Sequence, residues 1–122
     1  GFYHSVGFKF SENSGRLLET VVYLQLLRQG FEVYYWKSTK GSEVDFITLD
    51  GIKLKQAIQV TYSLNDNNFE REVKGLMLLE EQLGKVEKLI LTYDDEKILE
   101  NGIKVMPVWK WILSNWIKDL KD

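Results

Sequence analysis

Two short alternating runs, Val44 to Leu49 and Ala57 to Tyr62, restrict this chain more than any other feature, because they read as the two strands of a hairpin. In an antiparallel pair the numbers of opposed residues have a constant sum. Whether that sum is odd or even decides which residues share a face. An even sum gathers Val44, Phe46, Ile58, Val60 and Tyr62 on one apolar face and leaves Asp45, Ile47, Ala57, Gln59 and Thr61 on the other. An odd sum, which a two-residue Asp50–Gly51 turn demands, mixes Asp45 with Ile58 and Val60. Only the even sum gives a clean hydrophobic side. The pattern therefore predicts a loop with an odd number of residues, and it sets Asp45 beside Gln59.

The rest of the chain supplies partners for that hairpin. Leu17, Leu18, Val21, Val22, Leu24 and Leu27 recur at helical spacing over about Asn13 to Gln29, with Ser11 or Asn13 as cap and Gly30 as stop. Phe31 to Trp36 reads as the strand before the hairpin, reached through a turn at Gly41. The polar break Asn65 to Asn68 offers several caps for a second helix, Asn67 among them with Glu70 three residues on, and Val73, Leu76, Leu79 and Leu83 form its apolar stripe. Lys88 to Tyr93 and Ile103 to Met106 are two further strands. A Trp-rich helix from Val108 to Leu120 follows Pro107. The order is αβββαββα, an α/β chain with a single mixed sheet, helices packed on its faces, and strand four parallel to strand three.

Composition closes off several chemistries. The 122 residues suit one domain, 1–122, and 44% hydrophobic with 28% charged residues is a globular balance. There is no cysteine, so disulfides, thiolate nucleophiles and thiolate zinc sites are absent from this sequence. The lone His4 cannot build a histidine zinc site, and a Ser–His relay would rest on it alone. The longest apolar run, Val21 to Leu27, is broken by Gln25 and is far too short for a membrane span, and no signal peptide is visible. These features predict a cytoplasmic protein with no membrane partner. A start at Gly1 without Met predicts a fragment of a longer polypeptide. The net charge of −2 gives no basic field, so any contact with nucleic acid must be local or come from a neighbouring domain.

Glu19 on the first helix, the block Gly41-Ser42-Glu43-Val44-Asp45-Phe46, and Ile58-Gln59-Val60-Thr61 together resemble the PD-(D/E)XK nuclease superfamily. That pattern is a helix Glu, a strand Asp and an acid-x-Lys on the next strand. A closer resemblance is to a family of unknown function at the C-terminal end of predicted archaeal and bacterial AAA-type ATPases. It runs through Gly15 to Tyr23, Tyr35-Trp36, Phe69-Glu70-Arg71-Glu72 and Pro107 to Trp111. The resemblance implies a restriction-endonuclease-like core, Mg²⁺ or Mn²⁺ as cofactor, nucleic acid as partner, and an ATPase domain in the same polypeptide. It implies Asp45 as the primary metal ligand, Glu19 as a second and Gln59 in the third ligand position. The chemistry fits: a hard cation on oxygen ligands polarises a phosphoryl group and activates water.

One position departs from the pattern. Thr61 stands where the catalytic Lys is expected, and Gln59 brings no negative charge. Arg71 or Lys74 could supply the missing cation if the second helix reaches the site. The resemblance thus leaves two readings: a metal-dependent nuclease with a partly degenerate site, or a nuclease-fold module that docks nucleic acid or protein without hydrolysis. No phosphate-binding loop lies in this chain, since Gly84-Lys85 is followed by Val86. Glu70-Arg71-Glu72 reads as a solvated helix start. Trp109, Trp111 and Trp116 read as core or as a docking face.

Overall fold

The computed structural model describes residues 10–121. Helix α1 (Phe10–Arg28) is followed by strands β1 (Glu32–Lys37), β2 (Glu43–Asp50) and β3 (Lys53–Val60), then helix α2 (Phe69–Leu83). Strands β4 (Glu87–Thr92), β5 (Lys97–Ile98) and β6 (Lys104–Pro107) lead into helix α3 (Val108–Lys121). They form one mixed six-stranded sheet in the order β1-β2-β3-β4-β6-β5. As expected, β4 runs parallel to β3 after the α2 crossover; β6 runs parallel to β4. The sixth strand is the two-residue β5, which folds back on β6 through a Gly102 turn. It is too short and too exposed to carry an alternating signature, so the expected count of five strands falls one short.

The sheet separates two cores. Val44, Ile47, Ala57, Ile90 and Val105 meet Leu76 and Leu79 of α2 on one face. Ile58, Val60, Leu89 and Leu91 meet Val22 and Leu26 of α1 and Val108 and Trp111 of α3 on the other. Each fully buried aliphatic side chain contributes about 1.5–3 kcal/mol relative to exposure. Strands β3 and β4 sit between both layers, which is why Ala57 to Val60 and Leu89 to Thr92 are unbroken buried runs.

The hairpin register is even where it was expected to be, for a different reason. Phe46 opposes Ile58, Ile47 opposes Ala57 and Thr48 opposes Gln56, all with the even sum. Nearer the turn, Leu49 opposes Leu54 and Asp50 opposes Lys53, with the odd sum of a two-residue Gly51–Ile52 turn. Gly51 takes φ +66°, the left-handed conformation such a turn requires. The parity changes because Lys55 is an extra residue, a β-bulge between the turn and the site. The loop is thus even-numbered, and the bulge restores the register.

A second bulge corrects the expected face of Val44. Tyr34 opposes Ile47 while Trp36 opposes Val44, so Asp45 and Phe46 together lie across from Tyr35. Val44 therefore packs under α2 with Ile47, while Phe46 remains with Ile58 and Val60 under α1. The helix ends also differ. α1 starts at Phe10, so neither Ser11 nor Asn13 precedes it as a cap, although Gly30 does end it at φ +83°. The residue before α2 is Asn68 and not Asn67, and its side chain is spent on the preceding loop. Among the tryptophans, Trp111 is core, whereas Trp109 and Trp116 are exposed on α3.

Gly75 sets how closely α2 approaches the sheet. A Cβ there would lie 2.3 Å from the Glu43 carbonyl oxygen and 2.8 Å from Gln59 Nε2. In an open helix Gly→Ala gains about 1 kcal/mol. Here the clash is with backbone, and α2 must lift away from β2. Gly75→Ala should therefore lower the free energy of unfolding by about 1–3 kcal/mol, the range for overpacking, measured by urea denaturation. A variant as stable as the parent would show that the close approach is not needed.

Candidate functional site

The site forms where β2 and β3 part. Their backbone pairing ends at Phe46 and Ile58. Beyond it, the side chains of Gln59 and Asp45 take over the bonds that strand pairing would have made. Asp45 N–H donates to Gln59 Oε1 at 3.0 Å, and Val60 N–H donates to Asp45 Oδ2 at 2.8 Å. Gln59 Nε2 donates to the carbonyls of Glu43 at 2.8 Å and Glu72 at 3.2 Å. One side chain thereby joins β2 to the first turn of α2, and it is only 2% exposed. Both amide hydrogens and the carbonyl oxygen of Gln59 are in use. The third ligand position implied by the resemblance is occupied by a structural clamp.

The divergence opens a cleft of about 620 Å³. Glu19 of α1, Asp45 of β2 and Glu72 of α2 face it from three elements, and Lys40, Arg71 and Lys74 stand exposed around it. Thr61 also lines it, but its hydroxyl donates to the Ser63 carbonyl at 3.2 Å and accepts from Asn68 Nδ2 at 3.1 Å. Arg71 does reach the site. Its Nε lies 3.3 Å from Glu72 Oε1, and its charge acts on Asp45. Lys74 borders the same cleft.

Glu72 is the residue that the sequence reading missed. It is 7% exposed, not part of a solvated helix start. Its signal was available: it lies four residues before Leu76 and seven before Leu79, on the buried stripe itself. A carboxylate in line with a core face is either paired or functional.

Burial and mutual repulsion hold these acids toward their protonated forms. Glu19 is pushed up to about 7, first by burial and then by the charge of Asp45, with Arg16 opposing and Glu72 adding. Asp45 is raised by burial against the Val60 N–H bond, with Glu43 adding and Arg71 opposing. Glu72 is raised by burial and by Asp45, and lowered by Arg71. The floor of the cleft therefore sets three carboxyl groups where ionising any one of them raises the cost of ionising the others, with Arg71 and Arg16 opposing. Among the described residues, no group of three or more His, Cys, Asp or Glu side chains stands close enough to hold a metal ion by itself. Also among them, no helix is long and apolar enough to cross a membrane.

Residues 14–111 match the model of a domain of unknown function, DUF4143, and the chain belongs to that family. An uncharacterized protein of Methanocaldococcus jannaschii is 40% identical over 117 residues, covering 86% of this chain and 26% of the relative. An uncharacterized protein of Haemophilus influenzae is 28% identical over 111 residues, covering 91% of this chain and 26% of the relative. The chain thus spans about a quarter of the length of these curated relatives. No solved structure matches it.

Two outcomes follow from this geometry. Gln59→Glu removes both amide donors and adds a buried charge beside Asp45 and Glu72, so it should destabilise the fold by about 3–5 kcal/mol. Chemical denaturation reads this directly, and a loss under about 1 kcal/mol would mean that the clamp is not structural. The second outcome concerns pH. Between the ordinary value of 4.5 and about 7, folded Glu19 keeps a proton that the unfolded chain has released. The folded state binds more protons in that window, so stability should fall as pH rises through it. Glu19→Gln should flatten the slope of melting temperature against pH; a slope of opposite sign, or one that the variant leaves unchanged, would contradict the assignment.

Proposed function

We propose that this chain is a nuclease-like domain, of the PD-(D/E)XK type, that takes a phosphodiester into the Glu19–Asp45–Glu72 cleft together with Mg²⁺ or Mn²⁺. The observation that carries the reading is the convergence of the buried or half-buried acids Glu19, Asp45 and Glu72 with Arg71 on one cleft from α1, β2 and α2, with the exposed Glu43 and Glu70 also in its lining. The donor set fits a hard cation, since Glu19, Asp45 and Glu72 offer carboxylate oxygens and their repulsion is what a divalent charge would relieve. Glu72 joins Glu19 and Asp45 in it, and Gln59 does not. Mg²⁺ usually takes one or two carboxylates and completes its shell with water and substrate phosphate, so a preassembled cage is not required. Bound there, the metal would supply Lewis-acid polarisation and a more acidic water.

The chain's own residues divide the remaining work. Asp45 is held by the Val60 N–H, which aims one carboxylate oxygen and leaves the other for the cleft. Arg71 stands in for the absent lysine: it offsets the acids now and would offset charge gathering on the phosphoryl oxygens. Lys40 and Lys74 lie where the flanking phosphates would pass. In the same reading the domain serves an ATPase module of a longer polypeptide, in keeping with relatives some four times as long as the matched stretch.

A second reading rests on its own observation. Gln59 and Thr61, the two positions that depart from the nuclease pattern, are both committed to hydrogen bonds within the fold. That suits a domain that retains the cleft and docks nucleic acid or protein without cutting. Plasmid nicking with Mn²⁺ separates the two. The nuclease reading expects activity in the parent, none in Asp45→Ala, and a drop of about 10²-fold or more in Arg71→Ala, the scale of one lost transition-state donor. Thr61→Lys should then add little. If the parent and Thr61→Lys both stay at the Asp45→Ala level while folded, the docking module replaces the nuclease.

A further inference from the structure

Beyond the cleft, two aromatic rings lie stacked in the open at the ends of the central parallel strands. Tyr62 follows β3 and Tyr93 follows β4, and their ring centroids are 5.0 Å apart with planes 11° from parallel. They remain 42% and 56% exposed. The C-terminal edge of parallel strands is where α/β sheets take ligands. Tyr62 is also the next residue after Thr61, which lines the cleft. The cleft and the stacked pair are therefore adjacent parts of one sheet edge.

The ledge that carries the rings is built to hold still. Tyr93 N–H donates to the Tyr62 carbonyl at 3.1 Å, continuing the β3–β4 pairing past the strands. The Asp95 carboxylate accepts the Leu64 N–H at 2.8 Å, which ties the loop after β4 to the loop after β3. The Thr92 hydroxyl closes the turn by accepting the Asp95 N–H at 2.8 Å and donating to the Asp95 carbonyl at 2.9 Å. Asn68 Nδ2 braces the other loop through the Ser63 carbonyl at 2.9 Å and the Thr61 hydroxyl at 3.1 Å. Two stacked rings on a braced ledge offer a planar face with little left to order on binding. The nearest exposed acids along the chain, Asp66 and Asp94, make this a place for an uncharged ring and not for a phosphate. Phosphates have their partners in Lys40, Arg71 and Lys74 around the cleft.

We propose that Tyr62 and Tyr93 form a base-stacking platform that makes single-stranded nucleic acid the preferred ligand of the cleft. The proposal rests on the nucleic-acid reading above and names its substrate class. In a duplex the bases are stacked on one another and cannot reach a tyrosine face, whereas an unpaired base can. Each base that stacks on an aromatic ring adds sequence-tolerant affinity. The backbone then continues past the cationic residues of the cleft.

The test uses the 122-residue chain, without divalent cation, so that cleavage does not intervene. Fluorescence anisotropy compares a labelled single-stranded oligothymidylate with a duplex of the same length. The parent should prefer the single strand. Tyr62→Leu with Tyr93→Leu should weaken that binding about tenfold, the scale of one lost base–aromatic stack, while leaving the weaker duplex binding in place. Tyr62→Phe with Tyr93→Phe keeps the ring faces and should bind as the parent does. Near-ultraviolet circular dichroism confirms that each pair of substitutions is folded. Equal binding of single strand and duplex, an unaffected leucine pair, or a phenylalanine pair as weak as the leucine pair would overturn the platform and leave the nucleic-acid reading standing. No binding of either oligonucleotide by the folded parent would sink both.

Discussion

Strands β2 and β3 cannot stay paired and also make room for a cleft, and the side chain of Gln59 resolves that conflict. Where the ladder stops, the Asp45 N–H and the Glu43 carbonyl lose their strand partners. Each such group left bare in the interior would cost about 1–3 kcal/mol. Gln59 meets both with one carboxamide and uses its remaining hydrogen on the Glu72 carbonyl of α2. Several other features depend on this. Gly75 has no side chain because α2 is drawn onto this junction. Asp45 can turn its carboxylate to the Val60 N–H because its own N–H is satisfied. Glu72 is carried into the cleft because its backbone is anchored there.

The charge of the cleft does not follow from the charge of the chain. A net charge of −2 gives the chain as a whole no basic field. The fold sorts its charges by depth: Glu19, Asp45 and Glu72 are half-buried or buried, while Lys40, Arg71 and Lys74 are exposed. Buried carboxylates repel one another through a medium that screens poorly, whereas exposed cations are screened over about 10 Å. On the proposed reading, a divalent ion would sit at the floor and an extended anion would be held only at close range by the exposed cations.

Much of this was legible in the residues, and the failures have physical causes. Alternation in Val44 to Leu49 and Ala57 to Tyr62 put Asp45 beside Gln59, yet it did so through a wrong loop length. A bulge at Lys55 changes parity without leaving any mark in composition. The bulge opposite Tyr35 moved Val44 to the other core for the same reason. Gln59 was readable as a polar residue sharing a face with Asp45, but a carboxamide that binds a cation and one that binds main chain look the same in sequence. Glu72 was legible in principle from its spacing to Leu76 and Leu79, and was hidden by the charged neighbours Glu70 and Arg71. Two residues are too few for β5 to show a period at all.

The central claim is that the three-carboxylate cleft is a divalent-cation site with Asp45 at its centre. Crystals of the protein grown with Mn²⁺, measured at the manganese absorption edge, address it most directly. The account predicts one anomalous peak within ligating distance of the Asp45 carboxylate oxygen that Val60 leaves free, with Glu19 or Glu72 as a second ligand and Gln59 still on its backbone partners. An empty cleft at saturating Mn²⁺, or a Gln59 swung out of its clamp to ligate the ion, would contradict it.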